Sequence, residues 1–181
     1  MTATHYRYTD TEIKAILKTA VILTDTREKA NDHIISGLDA LKVAHKPIAL
    51  SFGDYSIMLP ANQEAGLYRD TFFDRDIIIE RKANLDELAG NFSKHREQFK
   101  NEMTRAGGAS KYLLIEQGGG YGAIINKQYR AQLSYRAFFA SILSFQARYG
   151  LNVIFTGPDM SAEIIWGLLY YHVRGWLLGH G

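Results

Sequence analysis

The segment Asp76-Ile77-Ile78-Ile79-Glu80-Arg81-Lys82 constrains this chain more than any other. Three consecutive isoleucines favour an extended backbone packed on both sides, the setting of a central strand in a sheet covered by helices. Glu80, Arg81 and Lys82 form its charged end. Side chains alternate along a strand, which puts Glu80 and Lys82 on one face and Arg81 on the other. Asn84 follows as a helix cap with Asp86 and Glu87 in the first turn, and one long helix is expected from there to Gly107-Gly108.

The other segments read as neighbours for that strand. Thr9-Asp10-Thr11-Glu12 has the form of a capping box and is followed by Ile13, Ile16, Leu17 and Ala20 at helical spacing. Val21 to Asp25 is a short strand ending in a carboxylate, and a second helix places Ile34, Ile35, Leu38 and Leu41 on one face. Pro47 to Phe52 is expected as a strand entering the Gly53-Asp54 turn, with Tyr55 to Leu59 as its hairpin partner. Pro60 to Arg75 reads as a loop, Tyr112 to Ile115 as a buried strand, and Gly118 to Gly122 as a flexible connection. Ser134 caps a helix bearing Phe138, Ile142, Phe145 and Tyr149, which Gly150 closes; Val153 to Phe155 is a last strand before a helix from about Ser161. Helices alternating with apolar strands give an α/β fold, a mixed central sheet flanked by helices.

The 181 residues suit a single domain, and 46% hydrophobic content supplies a sizeable core. The absence of Cys excludes disulfides and thiolate metal sites. Met1 to Tyr8 lacks a signal-peptide pattern, and the longest apolar run, Ile164 to Val173, is too short to cross a membrane. The expectation is a soluble intracellular protein in the cytoplasm (the host's, if a phage encodes it).

Asp54, set after a glycine turn, is positioned to join Glu80 from a neighbouring segment, and Asp25 at the end of the first strand is a third carboxylate. Carboxylates without His or Cys ligands suit Mg²⁺ or Mn²⁺. Such a cation lowers the pKa of a bound water and neutralises charge on a phosphate under attack, with Lys82 orienting the water or stabilising the transition state.

Together these motifs resemble the nuclease domain of the XPF/Mus family of structure-specific endonucleases. The family hallmark, Gly-Asp followed after a gap by Glu-Arg-Lys-x-x-x-Asp, is met by Gly53-Asp54 and by Glu80-Arg81-Lys82-Ala83-Asn84-Leu85-Asp86. Asp25-Thr26-Arg27-Glu28 matches the family's Asp-x-Arg-Glu segment, and Leu113-Leu114-Ile115-Glu116 its next core strand. The resemblance runs from about Val21 to Tyr171. It implies a restriction-endonuclease-like fold, metal ligands at Asp25, Asp54 and Glu80, a catalytic Lys82, and Glu28 at the edge of the site. Arg27 and Arg81 hold carboxylates or face DNA; sequence leaves both open. The chain lacks the helix-hairpin-helix motifs of many cellular relatives and is closer to short, stand-alone phage and bacterial versions.

Charge is unevenly spread. Residues 1–93 carry 11 basic and 14 acidic side chains, and residues 94–148 carry 9 basic and 3 acidic. Lys94, Arg96 and Lys100 are candidates for DNA phosphates, a solvated helix face being the plainer alternative. No glycine-rich loop followed by Lys-Ser/Thr supports a nucleotide cofactor, and the six His residues have no metal-ligand spacing. In the last helix, at about residues 161–178, Ile165, Leu168, Leu169, His172 and Trp176 form one stripe, and Trp166, Tyr170, Val173 and Leu177 a second. The doubled stripe suggests a homodimer interface, with a fully buried helix as the alternative. The function expected is a metal-dependent DNA endonuclease acting on branched or forked DNA in replication, recombination or repair. The competing reading is a non-catalytic DNA-binding or scaffold subunit.

Overall fold

The computed structural model describes residues 8–179. Met1 to Arg7, part of the segment read as lacking a signal peptide, and His180-Gly181 lie outside them. In chain order the elements are α1 (Asp10–Leu17), β1 (Val21–Asp25), α2 (Asp32–Ala40), β2 (Ala44–Ile48), β3 (Tyr55–Leu59), β4 (Thr71–Phe72), β5 (Ile77–Lys82), α3 (Leu85–Phe92), α4 (Arg96–Arg105), β6 (Ser110–Glu116), α5 (Gly120–Ile125), α6 (Tyr135–Tyr149), β7 (Leu151–Thr156) and α7 (Ser161–Leu177). The sheet order is β2-β1-β3-β5-β6-β7, with β4 paired to β3. β1 runs parallel to β2 and antiparallel to β3, while β5, β6 and β7 are mutually parallel. The fold is a mixed α/β sheet flanked by helices, with β5 central.

The period-2 alternation of the strands divides the core. Ile77 and Ile79 of β5 pack with Ile22, Tyr55 and Ile57 against Ile13, Leu17, Ile34, Leu38, Ile165 and Leu169 of α1, α2 and α7. On the opposite face Leu113 and Ile115 of β6 meet Leu88, Phe92, Phe99, Phe138, Ile142 and Phe145 from α3, α4 and α6. The edge of that second face, around Leu23, Leu50 and Met58, forms a small separate cluster. The cleft described below lies beside it.

Four expectations are corrected. The Pro47–Phe52 and Tyr55–Leu59 segments are not a hairpin: β1-α2-β2 is a crossover unit that leaves β2 parallel to β1, and β1 lies between β2 and β3. The long helix after Asn84 is two helices: Ser93 leaves helical geometry (φ −122°, ψ −92°), with its hydroxyl on the Ala89 carbonyl at 2.7 Å. The glycine-rich connection is ordered from Gly120 onward as α5. The Pro60–Arg75 segment contains a short 3-10 turn, Gln63–Ala65, and the strand β4.

The capping box at Thr9 and Glu12, the Asn84 and Ser134 caps and the left-handed Gly150 stop all stand where sequence puts them. In α7 the division into stripes differs from the sequence reading. Val173 and Leu177, assigned to the surplus stripe, are fully in the core, and Trp166 and Tyr170 pack against it.

Candidate active site

One turn brings the charged groups together. Gly53 has φ +71°, and a Cβ there would stand 3.0 Å from the Ile78 side chain; only glycine combines that backbone with that approach. The turn lets Asp54 N donate to Ile79 O (2.9 Å) while Asp54 O accepts from Asp25 N (2.8 Å), tying β1, β3 and β5 at one end. Asp54 Oδ2 then accepts from Arg81 N at 2.7 Å. The aspartate sits against the backbone of the Glu-Arg-Lys segment itself.

Arg27, Ser51, Phe52, Gly53, Asp54, Glu80, Glu102 and Arg105 line a cleft of about 170 Å³ at this end of the sheet. Lys82 Nζ donates to Glu80 Oε1 at 2.6 Å and lies 3.4 Å from Glu87 Oε1. Glu87 Oε2 in turn accepts from Ala83 N at 2.8 Å. Burial pushes the Asp54 carboxyl well above its ordinary range, and the nearby Glu80 charge adds to the effect. Burial also raises Glu80, against the pull of Lys82. Lys82 itself is raised despite burial, because Glu80 holds its proton. It is a buried, fixed ammonium behind Glu80, the residue through which it meets the cleft.

Asp25 is at the same sheet end but already satisfied. Its Oδ1 accepts from Arg27 N (2.8 Å) and Arg27 Nε (2.7 Å), and its Oδ2 from Arg27 Nη2 (3.1 Å) and Leu50 N (2.7 Å). Burial alone would raise this carboxyl; the Arg27 and Leu50 bonds reverse that and bring it below the ordinary value. Asp54 and Glu80 therefore share the cleft, whereas the Asp25 carboxylate is held by Arg27. Among the described residues no cluster of three or more His, Asp or Glu has metal-binding geometry.

Arg81 points to the opposite face. Its Nη2 donates to Glu116 Oε2 at 2.6 Å and its Nη1 to Glu28 Oε1 at 3.4 Å. Of the two roles left open for Arg81, the carboxylate partner is the one observed; Arg27 does the same for Asp25. Glu28 thus lies behind the site strand, through Arg81.

The candidate DNA-contacting residues are dispersed. Arg96 turns inward, its Nη1 on Ser141 Oγ at 2.9 Å and its guanidinium over the Phe145 ring. Lys100 pairs with Glu97 at 2.6 Å, and Lys94 is exposed. The α4 residues that reach the cleft are Glu102 and Arg105. Sequence reading missed Glu102, because its proximity follows from the unforeseen break between α3 and α4. Asp86, last residue of the hallmark, does not enter the cleft; it accepts from Arg130 N (2.7 Å) and Ala131 N (2.9 Å).

The donor set fits a hard divalent cation. One oxygen of Asp54 and one of Glu80 are engaged, leaving Asp54 Oδ1 and Glu80 Oε2 without hydrogen bonds from the described residues. Two destabilised carboxylates beside an ammonium lack positive charge, which a cation would supply.

The ERCC4 domain model matches residues 24–167. Among solved structures, XPF from Aeropyrum pernix, alone and in complex with DNA, is similar with a TM-score of 0.60 and 22% identity. The match covers 85% of this chain, which spans 65% of the length of that one. It establishes the fold, that of the XPF nuclease domain and restriction-endonuclease-like. No curated protein sequence matches the chain. By the extent of the domain match, the chain belongs to the ERCC4 domain family.

Proposed function

We propose that this protein is a divalent-metal-dependent DNA endonuclease whose site comprises Asp54, Glu80 and Lys82, with Asp25 as an additional ligand once Arg27 releases it. The observation that carries the reading is the pairing of Asp54 and Glu80 in one cleft, both carboxyls raised by burial, beside a Lys82 whose proton is held. Asp54 and Glu80 would hold Mg²⁺ or Mn²⁺, whose chemistry is to acidify a bound water and neutralise phosphate charge. Lys82 keeps its ammonium at the cleft and stabilises negative charge on a phosphate in the transition state. Glu87 steadies that ammonium from α3, and its second oxygen fixes Ala83 N. Arg105 brings a positive charge to the cleft wall, suited to a flanking phosphate.

The XPF structure in complex with DNA supports DNA as the substrate, and forked or branched DNA is the form proposed. A homodimer through the outer face of α7 completes the reading. One observation favours the alternative of a non-catalytic DNA-binding subunit: the Asp25 carboxylate is occupied by Arg27. Incubation of the purified protein with labelled duplex, single-stranded, forked and junction DNA, with Mn²⁺ or with EDTA, decides between them. Metal-dependent strand scission that Asp54→Asn and Glu80→Gln each abolish is the expected result. DNA binding without scission under any of these conditions would favour the non-catalytic subunit.

A further inference from the structure

From Gln117 to Pro158 the chain carries four basic side chains and no acidic one. Lys127, Arg130 and Arg136 of this stretch are exposed, in and just after the segment between α5 and α6. Among the described residues, one carboxylate from outside the stretch, Asp86, pairs with it. That carboxylate accepts from Arg130 N, Ala131 N and Arg130 Nε at 2.7, 2.9 and 3.1 Å, while the Arg130 side chain stays 93% exposed. Asp86 lies in the first turn of α3, next to the Glu87 that meets Lys82. The loop is thus tied to the helix start that flanks the cleft.

The loop is also shaped from within. Tyr129 OH donates to Leu133 O at 2.9 Å, and its ring packs edge-on against Phe138. Lys127 closes α5 at φ +54°, a conformation that favours glycine and costs a lysine strain. Arg136 lies over the ring of Tyr135, itself 39% exposed, which presents a flat cationic and aromatic surface at the loop's end.

We propose that the segment Asn126–Arg136 is a second edge of the DNA path, binding sugar-phosphate backbone through Lys127, Arg130 and Arg136, and that Asp86 is the positioning residue that holds it beside the site. The proposal rests on the DNA-nuclease reading and deepens it. It gives the final aspartate of the hallmark a role in which it holds a loop and touches no metal. Exposed arginines and lysines at fixed positions contact phosphates without reading sequence, so the effect is the same on any DNA.

The test is equilibrium binding of the full chain to a labelled duplex without divalent metal, across a range of salt. Each of Lys127→Gly, Arg130→Ala and Arg136→Ala weakens binding severalfold, and the triple variant lowers the slope of log affinity against log salt by roughly 2–3, about 0.9 per lost phosphate contact. Lys127→Gly separates charge from folding, since glycine relaxes the positive φ and the melting temperature holds or rises while affinity falls. Asp86→Ala weakens binding as Arg130→Ala does, and combining the two adds little. A wild type that binds DNA with the same affinity and salt slope as the triple variant overturns the proposal while sparing the nuclease reading. A wild type that binds no DNA overturns both.

Discussion

Arg81 Nη2 donates to Glu116 Oε2 at 2.6 Å across the parallel pair β5–β6, on the face of the sheet opposite Glu80 and Lys82. Glu116 Oε1 accepts from His33 Nε2 (2.7 Å) on α2 and Ser161 Oγ (2.6 Å) at the start of α7. One carboxylate thereby joins the site strand to its neighbour and to two helices. Because alternate residues of a strand share one backbone, fixing Arg81 from behind fixes where Glu80 and Lys82 point in front.

Glu116→Ala should therefore be among the most destabilising substitutions in the chain. It strands a buried guanidinium, a loss of about 3–5 kcal/mol, with Glu116→Gln milder because it keeps hydrogen-bonding capacity. The pH dependence has a defined sign. Burial would raise the Glu116 carboxyl, but the bonds from Arg81, Ser161 and His33 hold it down to about 2. A depressed folded pKa gives stability that is fully present above the ordinary value of 4.5 and is lost as pH falls toward 2. Urea unfolding at pH 5 and pH 3 should show this loss in the wild type and much less of it in Glu116→Gln.

Asp54 has the opposite sign. Its raised pKa contributes stability below the ordinary value of 3.8 that is lost as pH rises through the folded value. Near neutral pH in EDTA, Asp54→Asn should melt a few degrees higher than wild type, the shift that about 1 kcal/mol gives a chain of this length. The asparagine still accepts from Arg81 N, so shape is kept. Added Mg²⁺ should raise the wild-type melting temperature and leave Asp54→Asn nearly unmoved. Equal Mg²⁺ stabilisation of the two proteins would remove Asp54 from the cation site.

The parts of this arrangement that sequence shows are those set by local chemistry. The Ile77–Ile79 run announces a central strand, Asn84 and Ser134 announce helix starts, and strand alternation separates Arg81 from Glu80 and Lys82. What sequence conceals depends on contacts between distant segments. Nothing local in Ala44–Ile48 says that it pairs with β1 rather than with β3. The helix breaks at Ser93, whose hydroxyl donates to the Ala89 carbonyl, and with the break goes the placement of Glu102 and Arg105 at the cleft. Asp86 reads as a first-turn anion, which it is, but its partner lies 44 residues away. The inward turn of Arg96 likewise depends on Ser141 and Phe145 of another helix.

Arg27 makes the role of Asp25 open to measurement. Its guanidinium holds both oxygens of Asp25 and donates from Nη2 to Leu50 O at 3.0 Å, while the Arg27 side chain is 71% exposed. If Asp25 joins the cation site, Arg27 competes for it with the cation. Arg27→Ala should then strengthen Mn²⁺ binding severalfold in calorimetry without DNA, and Asp25→Asn should cancel the gain. Unchanged or weaker Mn²⁺ binding in Arg27→Ala would leave Asp25 as a structural anchor for Leu50 and the turn that follows.

The last prediction concerns assembly through α7. Val173 and Leu177 belong to the protein's own core, and Trp166 and Tyr170 lean on it, so substituting these tests folding more than association. The opposite side of the helix carries Tyr171, 69% exposed, and Gly167 and Gly175 with no atom near where a Cβ would stand, while Ile164 and Leu168 also pack partly against the core. An apolar strip with glycines allows close approach of a second helix, and a twofold pair repeats each contact. Burying each large side chain contributes roughly 1.5–3 kcal/mol before association costs, so a few such pairs sustain a dimer. Sedimentation at micromolar concentration should find a dimer. Tyr171→Glu should give a folded monomer that retains metal-dependent stabilisation, because Tyr171 is exposed and does not touch the cleft. A monomeric wild type, or a charged variant that remains dimeric, would reject this interface and leave the assignment of Asp54, Glu80 and Lys82 standing.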